Sequence, residues 1–163
     1  MRTNDITETL TTLFSELADG ANAPGGAYIL NSGDAGLLRS LDALSAAAAS
    51  GPSPAGGASV AAHVDHLCFG LELMNRWSDG EADPWSGADW AASWRRTTVT
   101  ESEWAALRAR LRDVTRRWHD ALRTPRALSR LELNGVISSI AHLAYHLGAI
   151  RQIDRSIQGP KAE

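Results

Sequence analysis

Val136-Ile-Ser-Ser-Ile-Ala-His-Leu-Ala-Tyr-His-Leu-Gly-Ala-Ile150 decides how this chain folds. Val136, Ile140, Leu143, Leu147 and Ile150 recur at alternating steps of four and three, the period of one face of an α-helix, with no two-residue alternation to compete. The stretch predicts a long helix over about Leu133 to Ile157.

The same period extends outward. Trp104, Leu107, Leu111, Val114 and Trp118 form a heptad seam. Thr100-Glu-Ser-Glu103 ahead of it has the form of a capping box, in which the Thr hydroxyl and the Glu carboxylate each satisfy a free backbone donor. Thr124-Pro125 closes that helix. Val60, Val64, Leu67, Leu71 and Met74 predict a helix over about Val60 to Ser78 with Ser59 as its N-cap. Leu37, Leu38, Leu41 and Leu44 predict one over about Asp34 to Ala49. Ile6, Leu10, Leu13, Phe14 and Leu17 predict a shorter one over about Asn4 to Ala18, with Gly20 as its C-cap.

Between these helices lie breakers. Residues 20–33 contain Pro24, Gly25 and Gly26, and residues 50–57 contain Gly51, Pro52, Pro54, Gly56 and Gly57. Asp79 to Val99 is too long for a simple turn and holds Trp85, Trp90 and Trp94. It predicts a crossover loop packed down by its rings, some of which could instead line a pocket. Four substantial helices, a long crossover between the second and third of them and no strands imply an all-α helical bundle, with the N-terminal helix an addition packed outside it. The corresponding division is 1–33 for the N-terminal helix and loop, 34–157 for the bundle and 158–163 for a short tail.

With 163 residues, 44% hydrophobic and 21% charged, the chain has apolar material for one domain core without metal or disulfide staples. One cysteine, Cys68, excludes an intramolecular disulfide; mid-helix and without a base arranged near it, it reads as a buried small hydrophobe. A net charge of −3 argues against a nucleic-acid binder, and no apolar run approaches the length that spans a bilayer. The polar, acid-containing N-terminus is unlike a signal peptide, so a cytoplasmic location is expected. The charge is nevertheless uneven. Residues 95–130 carry ten arginines against four acids, while residues 1–94 carry twelve acids against three arginines. Because the arginines interleave with the apolar seam, they predict a solvated helix face lying against acidic neighbours.

His142 and His146 stand at i and i+4, which puts both rings on one helix face a turn apart, a spacing suited to two ligands of one metal ion. Their apolar context predicts that at least one faces the interior, where both ring nitrogens need partners. A third imidazole is available from the Val60–Ser78 helix. His63 lies nearer the centre of its leucine stripe, and His66 lies at the edge with Phe69, Leu73 and Trp77. Three neutral imidazoles with an open position describe a catalytic type of site. His119 lies among charges and is expected to be solvated, as are Asp65 and Glu72. Gly148 is expected to allow close helix approach, Arg151 and Gln152 to orient a partner or bind an anion, and Tyr145 either to meet a ligand or to pack.

His142-Leu-Ala-Tyr-His-Leu-Gly-Ala-Ile-Arg-Gln152 resembles the final-helix signature of the DinB-like superfamily, His-x-x-Tyr-His-x-Gly-(Gln/Ala)-Ile-Arg. Ser59-Val-Ala-Ala-His-Val-Asp-His-Leu67 is similar to that family's earlier helix, where a Ser or Thr cap precedes His-Leu by seven residues, and seven from Ser59 is His66. The likeness covers roughly residues 34–157. It implies a four-helix bundle with a long crossover, holding a divalent metal on His66, His142 and His146. His63 stands as the alternative to His66, since the wheel favours one and the motif the other. The resemblance further implies zinc, or else nickel or iron, and a low-molecular-weight thiol as co-substrate. It implies a transferase or hydrolase acting on a small molecule, frequent homodimerisation, and no nucleic-acid or membrane partner. The competing expectation is a helical dimerisation or interaction module without turnover, with or without metal.

Overall fold

The computed structural model describes residues 3–21, 27–53, 56–124 and 127–161. Its regular elements are all helical: α1 (Thr3–Asp19), α2 (Gly36–Asp42), α3 (Ala46–Ser50), α4 (Val60–Ser78), α5 (Glu101–Arg123) and α6 (Arg130–Ile153), with 3₁₀ turns at Ala92–Trp94 and Arg155–Ile157. No strand occurs among the described residues, and no helix among them is long and apolar enough to cross a membrane.

The long helices start where local chemistry supplies the missing partners of their first backbone N–H groups. Ser59 Oγ accepts from the Ala62 N–H at the head of α4, and the same hydroxyl donates to the Thr97 carbonyl, tying the helix start to the end of the crossover. Thr100 and Glu103 form the expected capping box on α5. Ser129 and Glu132 form a second one on α6, so that helix begins at Arg130 rather than near Leu133. It also ends sooner, at Ile153, because the Asp154 side chain caps the following 3₁₀ turn instead. Thr124 is the C-cap of α5; Pro125 lies outside the described residues, as do residues 22–26 of the first loop and Pro54.

The four long helices close a ring: α4 packs on α5, α5 on α1, α1 on α6 and α6 on α4. This corrects the expectation that the N-terminal helix is an outside addition. Phe14 is fully buried and shares one core with Leu10, Leu17, Leu111, Trp118, Leu143 and Leu147. Helix α1 and the other long helices therefore share a common interior. The expected helix over 34–49 is instead two short ones. Ala43 caps the first, Ser45 accepts from the Ala48 N–H at the head of the second, and the Leu44 carbonyl between them receives the buried Trp104 indole N–H at 2.8 Å. A tertiary hydrogen bond thus occupies a carbonyl at the break between them.

α4 and α5 run parallel. Cys68 Sγ lies 4.0 Å from the Leu107 carbonyl and Asn75 Nδ2 donates to the Val114 carbonyl at 3.0 Å, both at an offset of 39 residues. Parallel neighbours require the chain to travel back along the bundle between them, which is why residues 79–100 are long. α4 and α6 run antiparallel, with His63 facing His146 and His66 facing His142. Four arginines of α5 meet acids from elsewhere: Arg108 and Arg112 on Asp42, Arg110 on both Asp65 and Glu72, and Arg117 on Asp79. Asp65 and Glu72, expected to be free in solvent, are held by Arg110.

Candidate metal centre

One turn separates His63 from His66 on α4, and one turn separates His142 from His146 on α6. Because the two helices are antiparallel, the four rings interleave in one layer. His66 Nε2 lies 3.2 Å from His142 Nε2, and His146 Nε2 lies 2.9 Å from the same atom. One ligand atom from each of His66, His142 and His146 falls within 4.8 Å of the others. His66 and His146 are buried, and His142 is half-buried.

The outer nitrogens explain how these rings are set. His66 Nδ1 is 2.8 Å from Ser93 Oγ, and that hydroxyl donates its proton to the Trp90 carbonyl at 2.7 Å. Ser93 can then only accept, so His66 carries its proton on Nδ1 and presents a bare lone pair at Nε2. His146 Nδ1 lies 2.8 Å from His63 Nδ1. One of those two atoms must donate; when His146 does, its Nε2 is bare as well. Between the converging nitrogens there is then room for a single electrophile: a proton on His142 Nε2 shared between its neighbours, or a cation bound by all three.

The spacing fits the second. Two imidazole nitrogens at 2.0–2.1 Å from a tetrahedral ion stand about 3.3 Å apart, so the observed 2.9 and 3.2 Å need only a small spreading of the rings. The charge state fits too. Burial, followed by the neighbouring imidazoles, brings His66 down to about 4 and His146 to about 3, and burial lowers His142. All three are neutral near pH 7, as ligands must be.

His63 is not part of the converging set. It backs His146 from behind through the Nδ1 contact, and its ring meets Trp94 edge-on with centroids 5.1 Å apart. The open alternative between His63 and His66 thus resolves geometrically in favour of His66 as the member of the cluster. Trp94 stacks on His66 at 4.2 Å between centroids. The crossover therefore contributes directly to the site: Trp94 covers a ring and Ser93 sets its tautomer. Ser93 is the residue that sequence reasoning missed. The only local signal was its place beside a tryptophan in a long loop, which carries no chemistry by itself.

Other expectations change. Arg151 forms a two-pronged pair with Asp34, at 2.9 and 2.6 Å, in a largely buried setting, so it fastens α6 to the start of α2 rather than binding an anion. Gly148 is exposed, and a Cβ there would meet nothing within 4 Å, so no close helix approach depends on it. Gln152 is exposed as well. Tyr145 is exposed, with its ring edge-on to His146 at 5.0 Å. Cys68 is fully buried, and burial pushes its thiol up to about 12.

Next to His142 a cavity of about 620 Å³ opens between α4 and α6 under the crossover. Trp77, Trp85 and Trp90 wall it, and Gly70 leaves the space beside the His142 ring, where an added Cβ would lie 3.4 Å from Cε1. Comparison with protein families, with curated proteins and with solved structures finds no match to the chain.

Proposed function

We propose that this chain is a DinB-like divalent-metal protein in which His66, His142 and His146 hold the ion. In this reading it is a transferase using a low-molecular-weight thiol, or a hydrolase using water, acting on a small molecule. The observation that carries the reading is the meeting of three Nε2 atoms from two antiparallel helices, with the lone pair of His66 committed inward by Ser93. The cluster contains three histidines and no carboxylate or thiolate, a donor set that fits an open centre better than a closed structural one. Zinc suits these nitrogens, and nickel or iron would be accepted by the same set. When bound, such an ion supplies Lewis acidity that makes a thiol or water nucleophilic near neutral pH.

The chain's own residues would then orient and protect. Trp94 excludes water from one face of His66, and His63 holds His146 in place. Asp65 and Glu72, engaged with Arg110, are unavailable as general bases, and buried Cys68 is unsuited to be the nucleophile, so the thiol of the proposed reaction is an added one. Homodimerisation belongs to the same proposal. It is supported by Ile137 and Tyr145, two exposed large side chains on α6, which carries no charge from Leu133 to Ile150. Those exposed side chains also favour the second reading, a helical interaction module with no turnover.

Elemental analysis of the purified chain tests the proposal. About one divalent ion per chain is expected, followed by turnover of an electrophile that depends on added thiol for a transferase, or on water alone for a hydrolase. Ion content far below one in every preparation would leave only the interaction module.

A further inference from the structure

The cavity beside His142 differs in character from the rest of the surface. Leu71 and Met74 of α4, the three tryptophans Trp77, Trp85 and Trp90, and Leu131 of α6 give it apolar walls, and none of the described residues lining it is charged. This is unusual in a chain where one residue in five is charged and where the neighbouring α5 face is crowded with ion pairs. Its volume of about 620 Å³ lies in the range of small-molecule sites, roughly 300–1,000 Å³.

Several features show that the space is held open. Gly135 lacks the Cβ that would lie 2.7 Å from Trp77 Cζ3, so the indole lies against the α6 backbone. Trp77 in turn meets Trp85 edge-on at 5.3 Å, which brings the crossover over the groove. Trp90 is braced by Phe69 at 5.1 Å and by His66 at 5.6 Å. His142 belongs both to the cavity lining and to the three-histidine cluster, so an occupant of the cavity lies beside the centre. The remaining polar groups are few. Ser139 is already engaged, accepting from the Trp118 indole N–H and donating to the Val136 carbonyl. Asn134 and Ser138 offer an amide and a hydroxyl along one rim.

We infer that this cavity binds the substrate of the three-histidine centre, and that the substrate is a largely apolar molecule of about the size of a two-ring aromatic that carries no positive charge, with its polar end directed to His142. The inference rests on the metal-dependent reading above and names the substrate class for it. The reason is desolvation: an ammonium entering this cavity would lose its water with no opposite charge to replace it and would face the bound cation, whereas an aromatic ring gains contact with three indoles.

Matched probes of equal shape test it. The full-length protein, with its metal content measured on the same sample, is titrated calorimetrically at pH 7 with 2-naphthol, which is neutral, and with 2-naphthylmethylammonium, which is positively charged. The neutral probe should bind at least about tenfold more tightly, as expected from the cost of burying an unpaired charge. Ser138→Trp fills the groove from an exposed position and should abolish naphthol binding while leaving metal content unchanged. Leu131→Glu, at a residue 73% exposed, puts an anion at the mouth and should shift the preference toward the ammonium probe. Equal affinity for the two probes, or naphthol binding that survives Ser138→Trp, would overturn the inference with the metal reading intact. Naphthol binding with no retained ion supports the cavity as a ligand site and overturns the metal reading alone. A dimer that Leu131→Glu splits, with naphthol bound by neither form, overturns the inference and assigns the groove to a second copy of the chain.

Discussion

The Nδ1 atoms of His63 and His146 lie 2.8 Å apart, so one ring must donate to the other across the α4–α6 interface. That contact gives two neighbouring histidines of one helix different jobs. His66 presents a nitrogen to the shared centre, while His63 orients a ring that does so.

Replacing the histidines singly should separate those jobs. His66→Ala, His142→Ala and His146→Ala are each expected to bring metal content from about one ion per chain to near zero. His63→Ala should retain the ion with affinity weakened ten- to a hundredfold, the usual effect of losing a partner behind a ligand. Competition with a chelator of known affinity measures both. Full metal loss in His63→Ala with none in His66→Ala would reverse the assignment.

Ser93 acts on the centre only through His66. Ser93→Ala removes the acceptor that keeps the His66 proton on Nδ1, leaving the ring free to change tautomer. Metal affinity should fall about tenfold, with helix content by circular dichroism unchanged. An unaltered affinity would show that Trp94 stacking alone sets the ring.

Asp34 and Arg151 should matter for stability and not for the centre. Breaking a buried pair by removing one partner costs about 3–5 kcal/mol, so Asp34→Ala should lower the unfolding midpoint markedly while the folded fraction keeps its ion. Burial pushes the Asp34 carboxyl up, but Arg151 and the Gly36 N–H outweigh it and hold it below its ordinary 3.8. A carboxyl held low in the fold stabilises it fully above pH 3.8 and loses that contribution as pH falls through the lower folded value. Asp34→Asn should therefore flatten the acid limb of stability below about pH 4, measured by denaturant titration.

Cys68 should be inert. With its thiol at about 12 and its side chain fully buried, it should not react with a disulfide reagent at pH 8 in the native protein. It should react stoichiometrically once unfolded. Cys68→Ala should cost about 1 kcal/mol and leave any thiol-dependent turnover intact; loss of turnover would make Cys68 part of the chemistry.

The sequence by itself determined the long helices and half of the centre. Periods of three and four, the caps at Ser59 and Thr100, and the i, i+4 spacing of His142 and His146 are all local, and local backbone geometry was enough to place two rings on one face. Contacts distant in sequence settled what local patterning left open. α2 and α3 are separated where the Leu44 carbonyl meets Trp104, sixty residues away. α1 joined the ring because its buried stripe found α5 and α6 as neighbours, which periodicity cannot specify. His66 and His63 are both buried and only three residues apart, and the helical wheel favoured His63, the one that the cluster leaves out. The antiparallel register of α4 against α6 chose, together with a crossover serine that leaves the inward lone pair of His66 bare.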